Sequence, residues 1–313
     1  MEKRKVLNSI LEAIGNTPIV KLRKIKKYFN LNSEILAKLE FFNPLSSVKD
    51  RIGLAMIIEA EKKGLIKKNT TIIEPTSGNT GISLAFVCAS RGYKLILTMP
   101  ESMSIERRKM LLLLGAQIVL TSAKKGMAGA IEKADEIKNK KENSFILQQF
   151  TNHANPNIHF NTTAKEIWED TNGDIDAFVS GVGTGGTLTG VAKFLKIKKK
   201  KIKIFAVEPE DSAVLSGGPV GTHLIQGIGP GFIPKNLDAS LIDEIISINN
   251  NTAFKYSKLL ARLEGIPVGI SSGAALAAAV EISERKEMNG KNTLVIMPSF
   301  AERYLSTQLF TDF

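Results

Sequence analysis

Short apolar runs rich in β-branched residues alternate with helical patterns along almost the whole chain, and nothing else in the sequence limits the fold as much. Ile35–Glu40 reads as a strand, then Thr70–Glu74, Lys94–Met99, Gln117–Leu120 and Phe145–Leu147. Between them lie helical patterns from Val48 to Gly64, from Ile82 to Arg91 with Gly92 as its stop, from Ser104 to Leu114, and over 126–140. Strands that alternate with helices predict an α/β fold, a parallel sheet wrapped on both faces. At 313 residues the chain is long for one core, so two lobes are expected. The alternation restarts near Thr151: a helix around 159–169, the strand Ala177–Ser180, a helix to Lys196 and the strand Lys203–Glu208. A Gly- and Pro-rich connection over 209–240 follows, long enough to suggest a functional loop. A helix over 252–264, an alanine-rich helix opened by Ile270-Ser271-Ser272-Gly273, and the strand Thr293–Met297 complete the chain. The expected division is an N-terminal lobe over 1–152 and a C-terminal lobe over 153–313, with part of residues 1–40 packing on the second.

Hydrophobic content of 43% and charged content of 23% describe an ordinary soluble protein. No apolar run is long enough to span a bilayer, and Met1–Lys5 does not open a signal peptide. Cys88 is the single cysteine, which excludes a disulfide or cysteine metal cluster within one chain. It reads as a buried structural thiol, and the cytoplasm is the expected compartment. The net charge of +11 raises the question of nucleic acid. Its densest run, Lys196–Lys203, carries no interleaved aromatic platforms and reads as a solvated connection. No nucleic acid or membrane partner is expected. The positive field suits anionic small molecules.

Three stretches carry chemistry. In Asn43-Pro44-Leu45-Ser46-Ser47-Val48-Lys49-Asp50-Arg51, Ser47 and Asp50 form a capping-box pattern, so a helix is expected to start near Val48. Ile52, Met56 and Ala60 then share its buried face. Lys49 falls in the first turn, where the helix dipole disfavours a cation and a partly desolvated amine is pushed towards its neutral, nucleophilic form. Gly181-Val182-Gly183-Thr184-Gly185-Gly186-Thr187 is a G-x-G-x-x-G loop between a strand and a helix. With Glu208 ending the next strand it fits a dinucleotide, and equally a phosphate monoester held by glycine amides and the Thr184 and Thr187 hydroxyls. Thr76-Ser77-Gly78-Asn79-Thr80 is a second strand–loop–helix site, suited to a carboxylate, or simply a capped helix with an Asn-containing turn. One phosphate, one carboxylate and one reactive amine together describe pyridoxal phosphate holding an amino acid. A nicotinamide enzyme has no use for Lys49.

With these stretches in place the chain resembles the cysteine synthases (O-acetylserine sulfhydrylases) of the β-family, or fold type II, of pyridoxal-phosphate enzymes. The matching segments are Asn43–Arg51, Pro75–Gly81, Pro100–Arg108, Gly181–Thr187, Gln226–Pro234, Ile270–Ala275 and Pro298–Thr307. The resemblance implies two open twisted, mostly parallel sheets with helices on both faces and the active site between the lobes. It implies pyridoxal 5′-phosphate bound to Lys49, which then acts as the base on the substrate Cα proton. Asn79 is implied at the cofactor's 3′ oxygen, Gly183, Thr184, Gly185, Gly186 and Thr187 at its phosphate, and Ser271 at its pyridine nitrogen. Thr76, Ser77, Gly78, Thr80 and Gln149 are implied at the substrate carboxylate, with Gly227 lining the site opposite. No metal is implied. The reaction would be a β-replacement in which O-acetyl-L-serine loses acetate, giving an α-aminoacrylate to which sulfide adds to form L-cysteine. The carboxylate loop would be the moving part. A homodimer, and docking of the C-terminal tail of serine acetyltransferase, follow from the same resemblance.

Two positions depart from the family pattern: Pro230, where alanine is usual, and Ala301, where glycine is usual. Pro230 lies in the loop expected near the active-site entrance and bears on the second substrate. A cysteine lyase that releases sulfide by β-elimination or β-replacement of L-cysteine would keep the same motifs. So would a non-catalytic partner of serine acetyltransferase, although the complete set of Lys49, Asn79 and Ser271 speaks for an enzyme. Ser271 has a plainer alternative as the cap of the alanine-rich helix.

Overall fold

The computed structural model describes residues 6–76 and 78–311. Its strands are β1 (Ile19–Lys21), β2 (Glu34–Leu39), β3 (Thr71–Pro75), β4 (Lys94–Pro100), β5 (Gln117–Thr121), β6 (Ser144–Ile146), β7 (Ala177–Gly181), β8 (Lys203–Pro209), β9 (Glu244–Ile248) and β10 (Asn292–Met297). The α-helices are α1 (Arg23–Tyr28), α2 (Lys49–Lys62), α3 (Asn79–Arg91), α4 (Ile105–Leu113), α5 (Gly126–Lys140), α6 (Ala154–Ile158), α7 (Ala164–Asp170), α8 (Gly186–Lys198), α9 (Asn250–Glu264) and α10 (Ile270–Ser283). The chain forms two units. One holds the segment up to Asn16 and Asn43–Ala154; the other holds Thr17–Phe42 and everything from Asn155 on.

The first unit has a four-stranded sheet in the order β5-β4-β3-β6, parallel throughout. Ile73, Ile96 and Ile146 form a buried cluster with Ala134 of α5. Against the sheet α3 comes close: a Cβ at Gly81 would stand 3.2 Å from a Leu97 methyl of β4. The second unit has a six-stranded sheet, β1-β2-β10-β7-β8-β9, in which only β1 runs antiparallel. Successive residues of its central strands go to opposite cores. Val179, Phe205, Val295 and Met297 join α9 and α10, whereas Phe178, Ile204, Leu294 and Ile296 join α7 and α8. Burial on both faces is why these strands read as unbroken apolar runs and not as alternating ones.

The structure adds to the expected elements and corrects some. β9 lies in what reads as the approach to a helix, and β1 forms the antiparallel edge. The helical stretch around 159–169 is interrupted by one turn of π-helix at His159–Thr163 between α6 and α7. The Ser47–Asp50 capping box does not form. Ser46 turns with φ of +54°, and the Asp50 carboxylate accepts the Leu45 N–H (2.6 Å) while Ser47 Oγ accepts the Lys49 N–H (3.3 Å). The helix therefore starts at Lys49 with no side-chain cap. Ile52, Met56 and Ala60 are buried as expected. Lys196, Lys199 and Lys203 pair with Asp243, Asp176 and Asp243, which takes them out of any continuous basic stripe. Among the described residues no helix is long and apolar enough to cross a membrane.

Candidate active site

In the first unit Lys49 and Asn79 occupy equivalent places, each the first residue of its helix. The two helices are tied at that end, because Ser83 Oγ of α3 donates to the Lys49 carbonyl (2.8 Å). Gly53 makes the approach possible: a Cβ there would stand 2.2 Å from Ser83 Oγ. Among the described residues no side chain caps α3, whose N-cap is Gly78; the Gly81 N–H goes back to the Gly78 carbonyl (3.1 Å), and the Asn79 and Thr80 N–H groups at its dipole end suit an incoming anion. Asn79 Oδ1 is buried and meets no hydrogen-bond partner. A buried amide left in that state is costly unless a bound group satisfies it.

The other residues expected at a carboxylate surround this loop. Thr76 is buried and its hydroxyl accepts the Gly78 N–H (3.3 Å). Thr80 Oγ1 donates to Gln149 Oε1 (2.7 Å), which brings those two expected residues together. Ser77, expected beside them, lies outside the described residues. Glu74 was not foreseen. It is buried to 1% exposure at the end of β3, and accepts the N–H groups of Gln148 (2.9 Å) and Gln149 (3.0 Å). Burial pushes its carboxyl up to about 7 against the opposing pull of those amides.

In the second unit the glycine loop leads into α8, which also lacks a side-chain cap. The loop is jammed against its neighbours. A Cβ on Gly183 would stand 2.2 Å from the Gly227 carbonyl oxygen, and one on Gly186 would fall 1.8 Å from Asn155 Oδ1. Gly185 has φ of +81°, a conformation that needs glycine. Both threonines are braced from behind. Asn155 Nδ2 donates to Thr184 Oγ1 (2.9 Å), which leaves the Thr184 O–H to donate outwards. His159 Nε2 lies 3.2 Å from Thr187 Oγ1, and its Nδ1 lies 2.9 Å from Thr163 Oγ1. In the tautomer with Nε2 protonated, Nε2–H donates to Thr187 and that hydroxyl keeps its own proton for an anion. His159 and Thr163 sit on the π-turn, a feature with no signature in the residue pattern.

Gly227 and Ser271 are neighbours, since a Cβ on Gly227 would stand 3.8 Å from Ser271 Oγ. Ser271 is buried in the first turn of α10, whose N-cap is Gly269 with no side-chain bond, so the capping alternative for Ser271 does not hold. Glu208 is engaged elsewhere. Its carboxylate accepts the N–H groups of Leu215 (2.7 Å) and Ser216 (3.2 Å) and the Ser216 hydroxyl. A ribose-binding acid needs free oxygens, so the dinucleotide alternative loses its second element. Cys88 is buried and its thiol is pushed up to about 12 by burial, far from a nucleophile's range.

Residues 10–299 match the family described as pyridoxal-phosphate dependent enzyme. The chain belongs to that family. It is 55% identical over 308 residues to cysteine synthase A of Escherichia coli K12, covering 96% of this chain and 94% of that one. A crystal structure of cysteine synthase from Entamoeba histolytica superposes with a TM-score of 0.96 at 47% identity, covering 99% of this chain and 92% of the other. A hydrogen sulfide-producing enzyme from Fusobacterium nucleatum superposes with a TM-score of 0.93 at 45% identity, covering 97% of this chain and 99% of that one. The residues fit the family's cofactor: in the second unit an uncapped α8 beside the Thr184 and Thr187 hydroxyls suits a phosphate, and in the first unit the Asn79 amide, whose oxygen has no partner, can turn its NH₂ to a bound acceptor.

Proposed function

We infer that this chain makes L-cysteine from O-acetyl-L-serine and sulfide by β-replacement. The observation that carries the reading is 55% identity to a cysteine synthase over nearly the full length of both chains. Bound pyridoxal phosphate supplies an electron sink that acidifies the substrate Cα–H and lets the β-substituent leave. In this reading Lys49 would hold the cofactor through its Nζ and would be the base for the substrate Cα proton. The amides of Gly183–Thr187 and the Thr184 and Thr187 hydroxyls bind the phosphate. Asn79 orients the ring, and Ser271 faces its nitrogen without the charge that would hold a proton there. Thr76, Ser77, Gly78, Thr80 and Gln149 bind the substrate carboxylate, with Gly227 lining the site. The same reading carries a homodimer, a cytoplasmic location and docking of the serine acetyltransferase tail.

Similarity to a hydrogen sulfide-producing enzyme supports a second reading, release of sulfide from L-cysteine. Side-by-side assays separate the two. The first reading expects cysteine formation from O-acetyl-L-serine and sulfide to outrun sulfide release from L-cysteine by orders of magnitude. The reverse ratio would install the second.

A further inference from the structure

We propose that Glu74 is a positioning residue for the amino-acid substrate: its buried carboxylate holds the Gln148–Gln149 turn and thereby sets where the Gln149 side chain and the Thr80 hydroxyl stand. This deepens the reading above and rests on its assignment of Gln149 and Thr80 to the substrate carboxylate.

Three observations carry it. Glu74 Oε2 accepts the Gln148 N–H and Oε1 the Gln149 N–H, and the Gln149 side chain bonds to the carboxylate as well, so Glu74 clamps two successive peptides and holds the Gln149 side chain directly. The clamped turn is strained, because Gln148 has φ of +60° and is not a glycine. Such a conformation persists only where its surroundings over-determine it. Gln149 then passes the placement on, accepting the Thr80 O–H across the first turn of α3. A neutral amide cannot replace Glu74 here. Gln at this position offers one acceptor and one donor to two N–H groups, and its NH₂ would face one of them donor to donor. The sequence separation hides the arrangement: Gln149 lies 75 positions after Glu74, and parallel pairing of β3 with β6 brings them together.

The test is a double-mutant cycle on the holoenzyme. L-Serine, with the substrate's amine and carboxylate but a poor leaving group, is titrated against the cofactor absorbance. Glu74→Gln is expected to retain the cofactor and weaken L-serine binding by about ten- to a hundredfold, the worth of one bond to a charged acceptor. KM for O-acetyl-L-serine rises with it, while kcat stays within about threefold. In a Gln149→Ala background the Glu74→Gln loss should vanish, because Glu74 acts only through Gln149. If Glu74→Gln does not fold, Glu74→Asp, which draws the carboxylate back by one methylene, carries the same cycle. Unchanged L-serine affinity in the Glu74 variant, or a loss that persists undiminished without the Gln149 side chain, overturns the proposal. If Gln149→Ala itself leaves L-serine affinity intact, the carboxylate assignment is wrong and the role of Glu74 falls with it.

Discussion

The two anion loops are built on one plan, strand to loop to uncapped helix, and differ in how tightly they are held. In the Gly183–Thr187 loop, glycines stand where any side chain would strike backbone or Asn155, and both hydroxyls are braced by second residues. Around Gly78 there is open space, and the Asn79 amide oxygen has no partner. A rigid cradle suits a group that stays through every turnover. A looser loop suits one that arrives and leaves, since segments that move are drawn from the less constrained parts of a structure.

Alanine in place of the loop glycines should expose this difference most strongly. Gly183→Ala must displace the Gly227 peptide, an overpacking that costs about 1–3 kcal/mol or more, and should abolish retention of the cofactor after dialysis. Gly78→Ala meets nothing within 4 Å, and its φ of −105° suits any residue, so cofactor retention should be unchanged. Equal effects at the two glycines would break the contrast.

The hydroxyls should sharpen it. Thr187→Val removes a donor to a charged acceptor, about 1.5–3 kcal/mol, and should weaken cofactor affinity with little change in KM for the amino acid. Thr80→Val should do the opposite, raising KM while the cofactor stays bound.

A pH dependence of stability is expected in the first loop's support. The Glu74 carboxyl titrates near 4.5 when unfolded and near 7 when folded, so the folded protein binds the extra proton between those values. Stability from this group is therefore highest below about pH 4.5, falls as pH rises to about 7, and is level above. A fall on the order of 3 kcal/mol is the upper bound. Glu74→Gln should flatten the urea midpoint over that window. An undiminished slope in the variant would assign it to other groups.

Much of this was legible from residues alone, and the misses have physical reasons. The parallel sheets follow from buried strands alternating with helices, and Lys49, Asn79, Thr184, Thr187 and Ser271 stand in local patterns with a chemical meaning. The supporting residues do not. Glu74 ends a strand and reads as an ordinary acid, because only the β3–β6 pairing brings the Gln149 amide to it. His159 reaches Thr187 from a π-turn that no periodicity announces. The expected box at Ser47 and Asp50 fails because Ser46 enters the left-handed region and redirects the Asp50 carboxylate to Leu45. β9 was missed because Glu244 and Ser247 break its apolar run at the sheet's edge.

The account stands on Lys49 as the residue that carries the cofactor in the looser loop's own unit. Borohydride reduction of the holoenzyme fixes the lysine–cofactor linkage, and peptide mapping by mass spectrometry then identifies the modified residue. The account predicts a single modified peptide, labelled at Lys49, and no label in Lys49→Ala. A label on any other lysine of the native protein would contradict it.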